Sequence, residues 1–411
     1  MKLIRGLVKL LLGLVALLLL LIVGLFTTMW IADPTVPKNI FFGQPITAPA
    51  AVERSQPQVR VPGKPQADLR PMEPVGGVVD ESIFDPDLFA EAVEYADASN
   101  SVALLVQQAG VIRYERYWPP YGPETRTNPN SMHKPVLALL IGAAIADGYI
   151  ESLDAKAATW LTEWQEDPRR EITVRQLLQM SSGLEIPVFG TWKSARILFG
   201  SDLVAGVMDL QAEKPAGSEF QYSNANSQLL ALIIERATQE PYAQYLSRRL
   251  WQPLGAQDAF LWLDRDGGMP RGFCCLFASA RDWLRVGELI LGEGERAGER
   301  IVPKDYVSQM LTPSALNPNF GFQIWLGSPA SEIRKYNDFT VTAYHSAPFV
   351  VSDVIYIDGF GGQRVYIIPS QQLIIVRTGV SRTDWDDAIL VNAISRALRP
   401  NAMSDRASEG Q

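Results

Sequence analysis

A serine stands three residues before a lysine in the stretch Ser131-Met132-His133-Lys134, and an apolar helical pattern follows from Val136 to Ile145. On a helix, side chains at positions i and i+3 share one face with Cβ atoms about 5–6 Å apart, so the lysine amine can reach the serine hydroxyl. Pro135 is tolerated only in the first turn of a helix, which places Ser131 at the helix N-terminus. The backbone N–H groups at that end favour negative charge on an attacked carbonyl. The stretch therefore predicts a nucleophile, although Ser-x-x-Lys alone also arises by chance.

A second motif, Tyr222-Ser223-Asn224, lies in a polar loop just before another helical pattern. A hydroxyl is a poor nucleophile until a base takes its proton, and either a neutral Lys134 or a tyrosinate at Tyr222 can serve Ser131 in this way. Because both groups have reference pKa values near 10, one of them must lie in a desolvated or cationic pocket. The amide of Asn224 can bind a substrate amide. Taken alone, Tyr222 is better explained as a loop tyrosine that packs its ring.

Residues 1–30 are predicted to form an N-terminal membrane anchor. Basic side chains at positions 2, 5 and 9 precede an uncharged run from Leu10 to Phe26, and the apolar character continues to Met29. About 20 helical residues are needed to cross the hydrocarbon core. A cleaved signal peptide is the alternative, but its apolar region is usually only about 7–15 residues long. The basic flank predicts a single pass through the inner (cytoplasmic) membrane, with the rest of the chain on the periplasmic or extracytoplasmic side.

The composition after the anchor predicts a linker, a domain and a tail. Residues 31–80 hold nine of the chain's 28 prolines, which is typical of a semi-extended linker holding the next domain off the membrane. Residues 81–399 have the composition of one large globular domain, and 400–411 form a polar tail. Within the domain, we expect a sheet part from about 81–130 and 300–399, and a helical part over about 140–300.

Charge and composition argue against several classes of function. The net charge of −8 gives no support to nucleic-acid binding, which usually shows a basic patch. The chain has only two histidines, His133 and His345, so neither a metal site nor another cofactor is predicted. The cysteines Cys274 and Cys275 are adjacent, and we interpret them as buried packing rather than as a redox site. The sequence gives no indication of the oligomeric state.

The periodicity of the domain predicts an α+β fold. Helical patterns begin at Asp85 and cover Ser131–Asp147, Thr173–Met180, Gln228–Thr238, Ala280–Leu291 and Asp386–Leu398. Strand patterns cover Val102–Gln107, Val111–Trp118, Phe320–Leu326, Gln363–Ile368 and Gln372–Arg377. Both ends of the chain therefore contribute strands to a sheet, while the middle is helical.

Together these motifs resemble the serine hydrolases of the β-lactamase and penicillin-binding-protein superfamily, in the branch of class C β-lactamases, D-alanyl-D-alanine peptidases and related esterases. The likeness covers nearly all of 81–399. It includes Thr173–Leu178 with Ser181–Leu184, and then Trp251–Ala256. Within this branch, Ala280–Gly287 and Gly359–Gln363 look most like the 6-aminohexanoate-dimer hydrolases, which cleave linear amides and esters.

The resemblance implies an antiparallel sheet flanked by helices beside an all-helical subdomain, with the site between them. Carried over by position, Ser131 is the acylated nucleophile, Lys134 its base, and Tyr222 the proton carrier to the leaving group. The backbone amide of Phe360 pairs with that of Ser131 as an oxyanion hole. The implied substrate is a small-molecule amide or ester.

The third motif of the family, Lys-Thr-Gly or His-x-Gly, is where this chain departs from the pattern. It aligns with Ile357-Asp358-Gly359, whereas Arg377-Thr378-Gly379 comes two strands later and is interpreted as structural. The missing cation argues against an anionic acyl-D-alanine or penicillin substrate. Arg364 is a candidate replacement whose direction the sequence leaves open.

Two other functions compete with this one. A membrane-tethered binding protein that has lost its chemistry would explain the degenerate third motif, but it would not need Ser131, Lys134 and Tyr222 together. A histidine-based hydrolase would need His133 or His345 as its base, and the chain has no Gly-x-Ser-x-Gly elbow. His133 is expected to point away from the serine and to serve packing.

Overall fold

The computed structural model describes residues 2–42, 49–65, 77, 79–334, 336–338 and 343–399. The α-helices of this part are α1 Lys2–Ala32, α2 Thr35–Pro37, α3 Pro49–Arg54, α4 Pro86–Ala98, α5 His133–Ala146, α6 Val174–Leu178, α7 Trp192–Phe199, α8 Leu203–Met208, α9 Asn224–Thr238, α10 Tyr242–Leu246, α11 Ala280–Leu291, α12 Lys304–Met310 and α13 Asp387–Ala397. The strands are β1 Gln58–Val61, β2 Ser101–Gln108, β3 Val111–Tyr117, β4 Arg126–Thr127, β5 Ala259–Trp262, β6 Leu276–Ser279, β7 Glu295–Arg296, β8 Glu299–Arg300, β9 Trp325–Leu326, β10 Ile333–Arg334, β11 Ala343–Tyr344, β12 Ile355–Gly359, β13 Gln363–Ile368 and β14 Leu373–Gly379.

The central sheet draws its strands from both ends of the domain, which confirms the predicted α+β architecture. Its order is β3-β2-β14-β13-β12-β9, and every neighbouring pair is antiparallel. Alternate residues of β2 enter different cores: Ala103 and Leu105 face the helical part, whereas Leu104 and Val106 pack under α4 and α13. Because both faces are covered, β2 reads as a continuous apolar run rather than as an alternating one.

Helix α5 lies at the centre of the helical part and packs against α9. Its residues from His133 to Ala144 are all buried. A helix that is apolar on every side is stable only inside a protein, which fits the long uninterrupted run after Pro135. A 3₁₀ turn, Asn130–Met132, leads into α5 and contacts β12 of the sheet. The N-terminus of α5 therefore lies at the junction of the two parts of the domain.

The predicted linker is wrong where the chain adds a strand to the domain. Strand β1 pairs with β5, with Gln58 opposite Trp262 and Val61 opposite Ala259, in a second sheet of order β1-β5-β6-β4. Val61 is fully buried, so the alternating Gln-Val-Arg-Val stretch is stabilised by apolar burial. The proline-rich sequence around this stretch favoured a linker, and the strand was therefore not predicted. Strands β5 and β6 also interrupt the region predicted to be helical.

The chain just after α1 docks on the domain, which is a second correction to the linker. Within residues 5–32 of α1, an 18-residue window has a mean hydropathy of 3.0, so this helix is long and apolar enough to span a membrane. Beyond it, the side chain of Val36 is fully buried. Asp33 Oδ2 accepts a hydrogen bond from the Ser201 N–H at 2.7 Å, and Asn39 Nδ2 donates to the Phe199 carbonyl at 2.9 Å. The predicted tail at 400–411, like residues 66–76 of the linker, lies outside the described residues.

Two local predictions also differ from the structure. The strand predicted over 320–326 is extended only at β9, because Gly321 N–H donates to the Ile324 carbonyl and Gln323 takes a left-handed φ of 57°. The adjacent cysteines Cys274 and Cys275 form a disulfide bond, so the interpretation of them as packing alone is wrong.

Candidate active site

The serine of the Ser-x-x-Lys motif and its lysine are in direct contact. Ser131 lies in the 3₁₀ turn before α5 and remains partly exposed, whereas Lys134 lies in the first turn of α5 and is 1% exposed. The Lys134 Nζ donates a hydrogen bond to Ser131 Oγ at 2.9 Å. This is the contact that the i, i+3 spacing allows.

The lysine is surrounded by acceptors but has little access to water. Its Nζ also donates to Asn224 Oδ1 at 2.9 Å and to the Phe273 carbonyl at 2.8 Å. Burial disfavours the charged amine and lowers the pKa of Lys134 to about 7, although the Asp358 carboxylate partly opposes this shift. A large fraction of the amine is therefore neutral near pH 7.

Tyr222 reaches the same place from the loop before α9. Its ring centroid lies 4.9 Å from Lys134 Nζ. The ring stacks on Trp325 at 5.8 Å and meets Tyr336 edge-on at 5.3 Å. Desolvation by this packing raises the pKa of Tyr222, and the Asp358 carboxylate raises it further, whereas the nearby Ser131 side chain lowers it in part. Of the two candidate bases, only Lys134 loses its proton near neutral pH.

The main chain of Tyr222 is held on both sides by one segment. The Tyr222 N–H donates to the Tyr336 carbonyl at 2.9 Å, and Asn337 Nδ2 donates to the Tyr222 carbonyl at 2.7 Å. The next residue, Ser223, caps α9 by accepting a hydrogen bond from the Ala225 N–H. The tyrosine is thus fixed by its neighbours on the chain and by residues more than a hundred positions away.

The end of β12 lies against the turn that carries the serine. A Cβ atom at Gly359 would lie 2.1 Å from the Pro129 carbonyl oxygen, so only glycine fits there. Asn130, which adopts a left-handed φ of 51°, donates from Nδ2 to the Phe360 carbonyl at 2.9 Å. These contacts bring the main chain of Phe360 beside that of Ser131.

The carboxylate of the third motif points into the protein. Asp358 is 5% exposed and forms an ion pair of 2.5 Å with Arg364 Nη1. Tyr336 donates its hydroxyl to Asp358 Oδ2, and Arg334 Nη2 lies 3.5 Å from the same oxygen. Arg364 also bonds to Asp387, so this arginine is directed into a buried ion cluster and does not replace the missing cation.

Other residues highlighted in the sequence have structural partners. Arg377 is fully buried and donates to Ser101 Oγ and the Ser99 carbonyl, in keeping with its structural interpretation. His133 is also fully buried, with Nδ1 3.0 Å from the Cys274 carbonyl and Nε2 2.9 Å from the Tyr242 hydroxyl. Both ring nitrogens of His133 are thus occupied away from the serine.

Sequence reasoning missed Asn130, Arg334 and Tyr336. The run Asn-Pro-Asn immediately before the serine offered a signal for the first, because asparagine tolerates left-handed backbone. The other two come from a segment without clear periodicity, and we find no local signal for them. Among the described residues, no group of three or more His, Cys, Asp or Glu side chains is arranged to hold a metal ion.

Comparison with known proteins agrees with this geometry. The family model described as Beta-lactamase matches residues 88–388. The 6-aminohexanoate-dimer hydrolase of Paenarthrobacter ureafaciens is 28% identical over 235 residues, which cover 51% of this chain and 56% of that protein. The match therefore spans little more than half the length of this curated relative. Protein flp of Staphylococcus aureus (strain MW2) is 34% identical over 87 residues, covering 20% of this chain and 17% of that protein.

Solved structures show the same fold. A candidate 6-aminohexanoate-dimer hydrolase from Bacillus anthracis superposes with a TM-score of 0.66 at 20% identity, covering 84% of this chain and 90% of that chain. A penicillin-binding-protein homologue from Caulobacter crescentus superposes with a TM-score of 0.58 at 16% identity, covering 77% of this chain and 99% of that chain. These likenesses confirm the resemblance and the fold class that the motifs predicted.

Proposed function

The chain belongs to the Beta-lactamase family, and from that premise we propose that it is a membrane-anchored serine hydrolase. It cleaves an amide or ester bond of a small molecule through an acyl-enzyme on Ser131. The observation that carries this proposal is the convergence of a hydroxyl, an amine and a phenol: Lys134 Nζ lies 2.9 Å from Ser131 Oγ and 4.9 Å from the centroid of the Tyr222 ring.

In the first half of the reaction, neutral Lys134 takes the proton from Ser131 Oγ as this oxygen attacks the substrate carbonyl. The carbonyl oxygen becomes an oxyanion, which the backbone amides of Ser131 and Phe360 stabilise. One such donor is worth about 2.7–4 kcal/mol of barrier in comparable enzymes. The close packing of Gly359 on the serine turn supports this role, because it fixes the end of β12 relative to the main chain of Ser131.

In the second half, the tetrahedral intermediate collapses and the bond to the leaving amine or alcohol breaks. Tyr222 donates its proton to the leaving atom and recovers one from the Lys134 ammonium, so that no net charge remains on the phenol. Water then attacks the acyl-serine with Lys134 as its base, which releases the acid and restores Ser131. Because Asn224 Oδ1 accepts from Lys134, contact with the substrate amide falls to the Asn224 NH₂ group.

The substrate is not expected to be a penicillin or an acyl-D-alanine. These molecules carry a carboxylate, and the third motif offers the buried, paired Asp358 in place of a cation. Uncharged or linear amides and esters fit better. The basic residues before the apolar run of α1 favour an inner-membrane anchor with the domain on the extracytoplasmic side. A binding protein without chemistry remains the alternative, and the degenerate third motif is the observation that favours it.

Covalent labelling tests the proposed function. The full chain in detergent is treated with a fluorophosphonate and digested, and the adduct is located by mass spectrometry. We expect one adduct, on Ser131, in protein that also hydrolyses a small ester panel. An adduct on another serine, or no adduct in protein that binds the substrate panel, contradicts the hydrolase and favours the binding protein.

The pH dependence of kcat/KM is expected to follow the lysine. The active form of Lys134 is neutral, so kcat/KM rises with pH below the lowered pKa of about 7 and levels off above it. The raised pKa of Tyr222 keeps the phenol protonated, so no descending limb is expected below pH 9. Initial rates with one ester from pH 5 to pH 9.5 give the profile. A rate that still rises tenfold per pH unit at pH 9.5, or a bell centred at neutral pH, would contradict this assignment of the base.

A further inference from the structure

We propose that the cavity lined by Trp325, Tyr336 and Phe349 binds the leaving group of the substrate, and that this group is uncharged and aromatic or alkyl. The proposal rests on the proposed function, since it assigns a subsite to the same reaction. The cavity has a volume of about 490 Å³, which is within the usual range for small-molecule sites.

Aromatic side chains form part of the cavity wall. Phe220, Trp325, Phe349 and Tyr356 line it, and Leu316 and Ile333 lie at its rim with 39% and 47% of their surface exposed. Large apolar side chains left exposed around a concavity mark a binding site more often than a chance feature of the surface. Burial of an apolar group against these rings supplies the affinity.

The described residues that line the cavity present no uncompensated charge. Arg334 is 4% exposed and donates to Asp387 at 2.7 Å, and Glu219 forms an ion pair with Lys214. Burial lowers the pKa of His345, which leaves the imidazole neutral at pH 7. A carboxylate or an ammonium on the ligand would therefore enter the cavity without a counter-charge from these residues.

Two amide side chains in the cavity wall, Asn317 and Asn319, form hydrogen bonds with the main chain of the protein. Asn319 Nδ2 donates to the carbonyls of Leu326 and Pro329, and Asn317 Oδ1 accepts from the Asn319 N–H. These amides shape the wall by bonding to the main chain. The cavity thus selects by shape and apolar contact rather than by hydrogen bonds.

Contact with Tyr222 assigns the cavity to the leaving group. Trp325 and Tyr336 line the cavity and also pack on the Tyr222 ring, at 5.8 Å and 5.3 Å. Tyr222 is the residue that donates a proton to the leaving atom in the proposed reaction. A group attached to that atom therefore extends past the tyrosine toward the wall that Trp325 and Tyr336 share with the cavity.

Two ester series test the assignment with the full chain in detergent. The first keeps the acetyl group and varies the alcohol: methanol, 2-phenylethanol and 4-(2-hydroxyethyl)benzoate. The second keeps methanol and compares acetate with phenylacetate. The variants are Ala347→Phe, which fills the cavity, and Ile333→Lys, which adds a cation at its rim. Val350→Lys is the matched control, because Val350 is 44% exposed on the same segment but does not line the cavity.

We expect kcat/KM for 2-phenylethyl acetate to exceed that for methyl acetate by about tenfold or more, as for other apolar pockets that gain a hydrophobic group. Ala347→Phe should remove this preference, whereas Val350→Lys should keep both the preference and the rate for methyl acetate. Ile333→Lys, unlike Val350→Lys, should improve the benzoate ester relative to its neutral counterpart.

The outcomes separate failure of the subsite from failure of the reaction. Equal rates for all alcohols, or a preference that Ala347→Phe leaves intact, overturn the subsite while methyl acetate hydrolysis continues. A phenyl preference confined to the acyl series and lost in Ala347→Phe overturns its assignment to the leaving group. Loss of methyl acetate hydrolysis together with absent fluorophosphonate labelling of the wild-type protein overturns the proposed function itself.

Discussion

Replacing Lys134 by methionine is expected to lower kcat/KM for ester hydrolysis by about 10³, within the range observed when a general base is removed. The amine is placed 2.9 Å from the Ser131 oxygen, and the alternative base, Tyr222, keeps its proton because burial raises its pKa. Methionine has a similar length and no proton acceptor of comparable basicity. The serine would then have to lose its proton to water.

The same substitution should not weaken the fold. The pKa of Lys134 falls from 10.5 in a solvated chain to about 7 on burial, so the folded state binds fewer protons than the unfolded one between these values. The free energy of unfolding of the wild-type protein therefore rises with pH across this window, and below it the buried charge opposes folding. Methionine removes the cost of burying this charge. That gain offsets the loss of the hydrogen bonds to Asn224 and Phe273. We expect an unchanged or higher Tm at pH 7.

Ester hydrolysis and thermal unfolding measured on one preparation distinguish these effects. Lys193→Met is the control, since Lys193 is 43% exposed at its side chain and pairs with Glu185 on the surface. This control should keep its activity. If Lys134→Met retains a tenth or more of kcat/KM, Lys134 is not the base. If its Tm falls by many degrees, lost activity no longer argues for a chemical role.

The features that could be predicted from the sequence are those whose physical cause is local. The hairpin of β2 and β3 follows from two β-rich runs around Ala109-Gly110, and the contact of Ser131 with Lys134 follows from helix geometry. The buried helix α5 follows from its apolar length. Each of these requires only the period of a secondary structure and the residues within one or two turns.

Tyr222 and Phe360 required the family resemblance, because nothing local ties either residue to Ser131. Their positions depend on contacts between distant segments, such as Asn130 with Phe360. The pairing of β1 with β5 is of the same kind, because it joins residues about two hundred positions apart. The prolines around β1 favoured the prediction of a linker over the prediction of a strand from its short alternating pattern. The orientation of the Asp358 side chain could not be predicted either, since it depends on contacts with Arg334 and Arg364, which lie on other strands.

Replacing Asp387 by asparagine is expected to reduce the free energy of unfolding by about 3–5 kcal/mol, the usual effect of leaving buried charges without their partner. Asp387 is 1% exposed. Its oxygens accept from Arg334 Nη1 at 2.7 Å and from Arg364 Nε at 2.5 Å, and also from the Tyr366 hydroxyl. Asparagine removes one negative charge, so the Asp358 carboxylate is left to compensate both arginines. In addition, the asparagine NH₂ group is a donor and would lie against the N–H donors of the arginines.

Urea unfolding of the full chain in detergent, followed by circular dichroism, measures this loss. The arginines hold the pKa of the Asp387 carboxyl well below its ordinary value, so its contribution is present above about pH 4 and is lost on acidification. The difference between wild type and Asp387→Asn should therefore shrink as the pH is lowered below 4. Asp384→Asn is the matched control, because Asp384 pairs with Arg382 on the surface and its loss should leave the unfolding curve nearly unchanged.

The loss should extend to catalysis, because the cluster also supports the proposed oxyanion hole. Arg364, held by Asp387, donates from Nη1 to the Gly359 carbonyl at 2.6 Å, just before Phe360. If this link positions the Phe360 amide, then Asp387→Asn lowers kcat more than it raises KM, even at temperatures where the variant is fully folded. Unchanged stability in Asp387→Asn would show that the arginines find other partners. Full activity in the folded variant would show that the end of β12 is positioned by Gly359 packing on the serine turn alone.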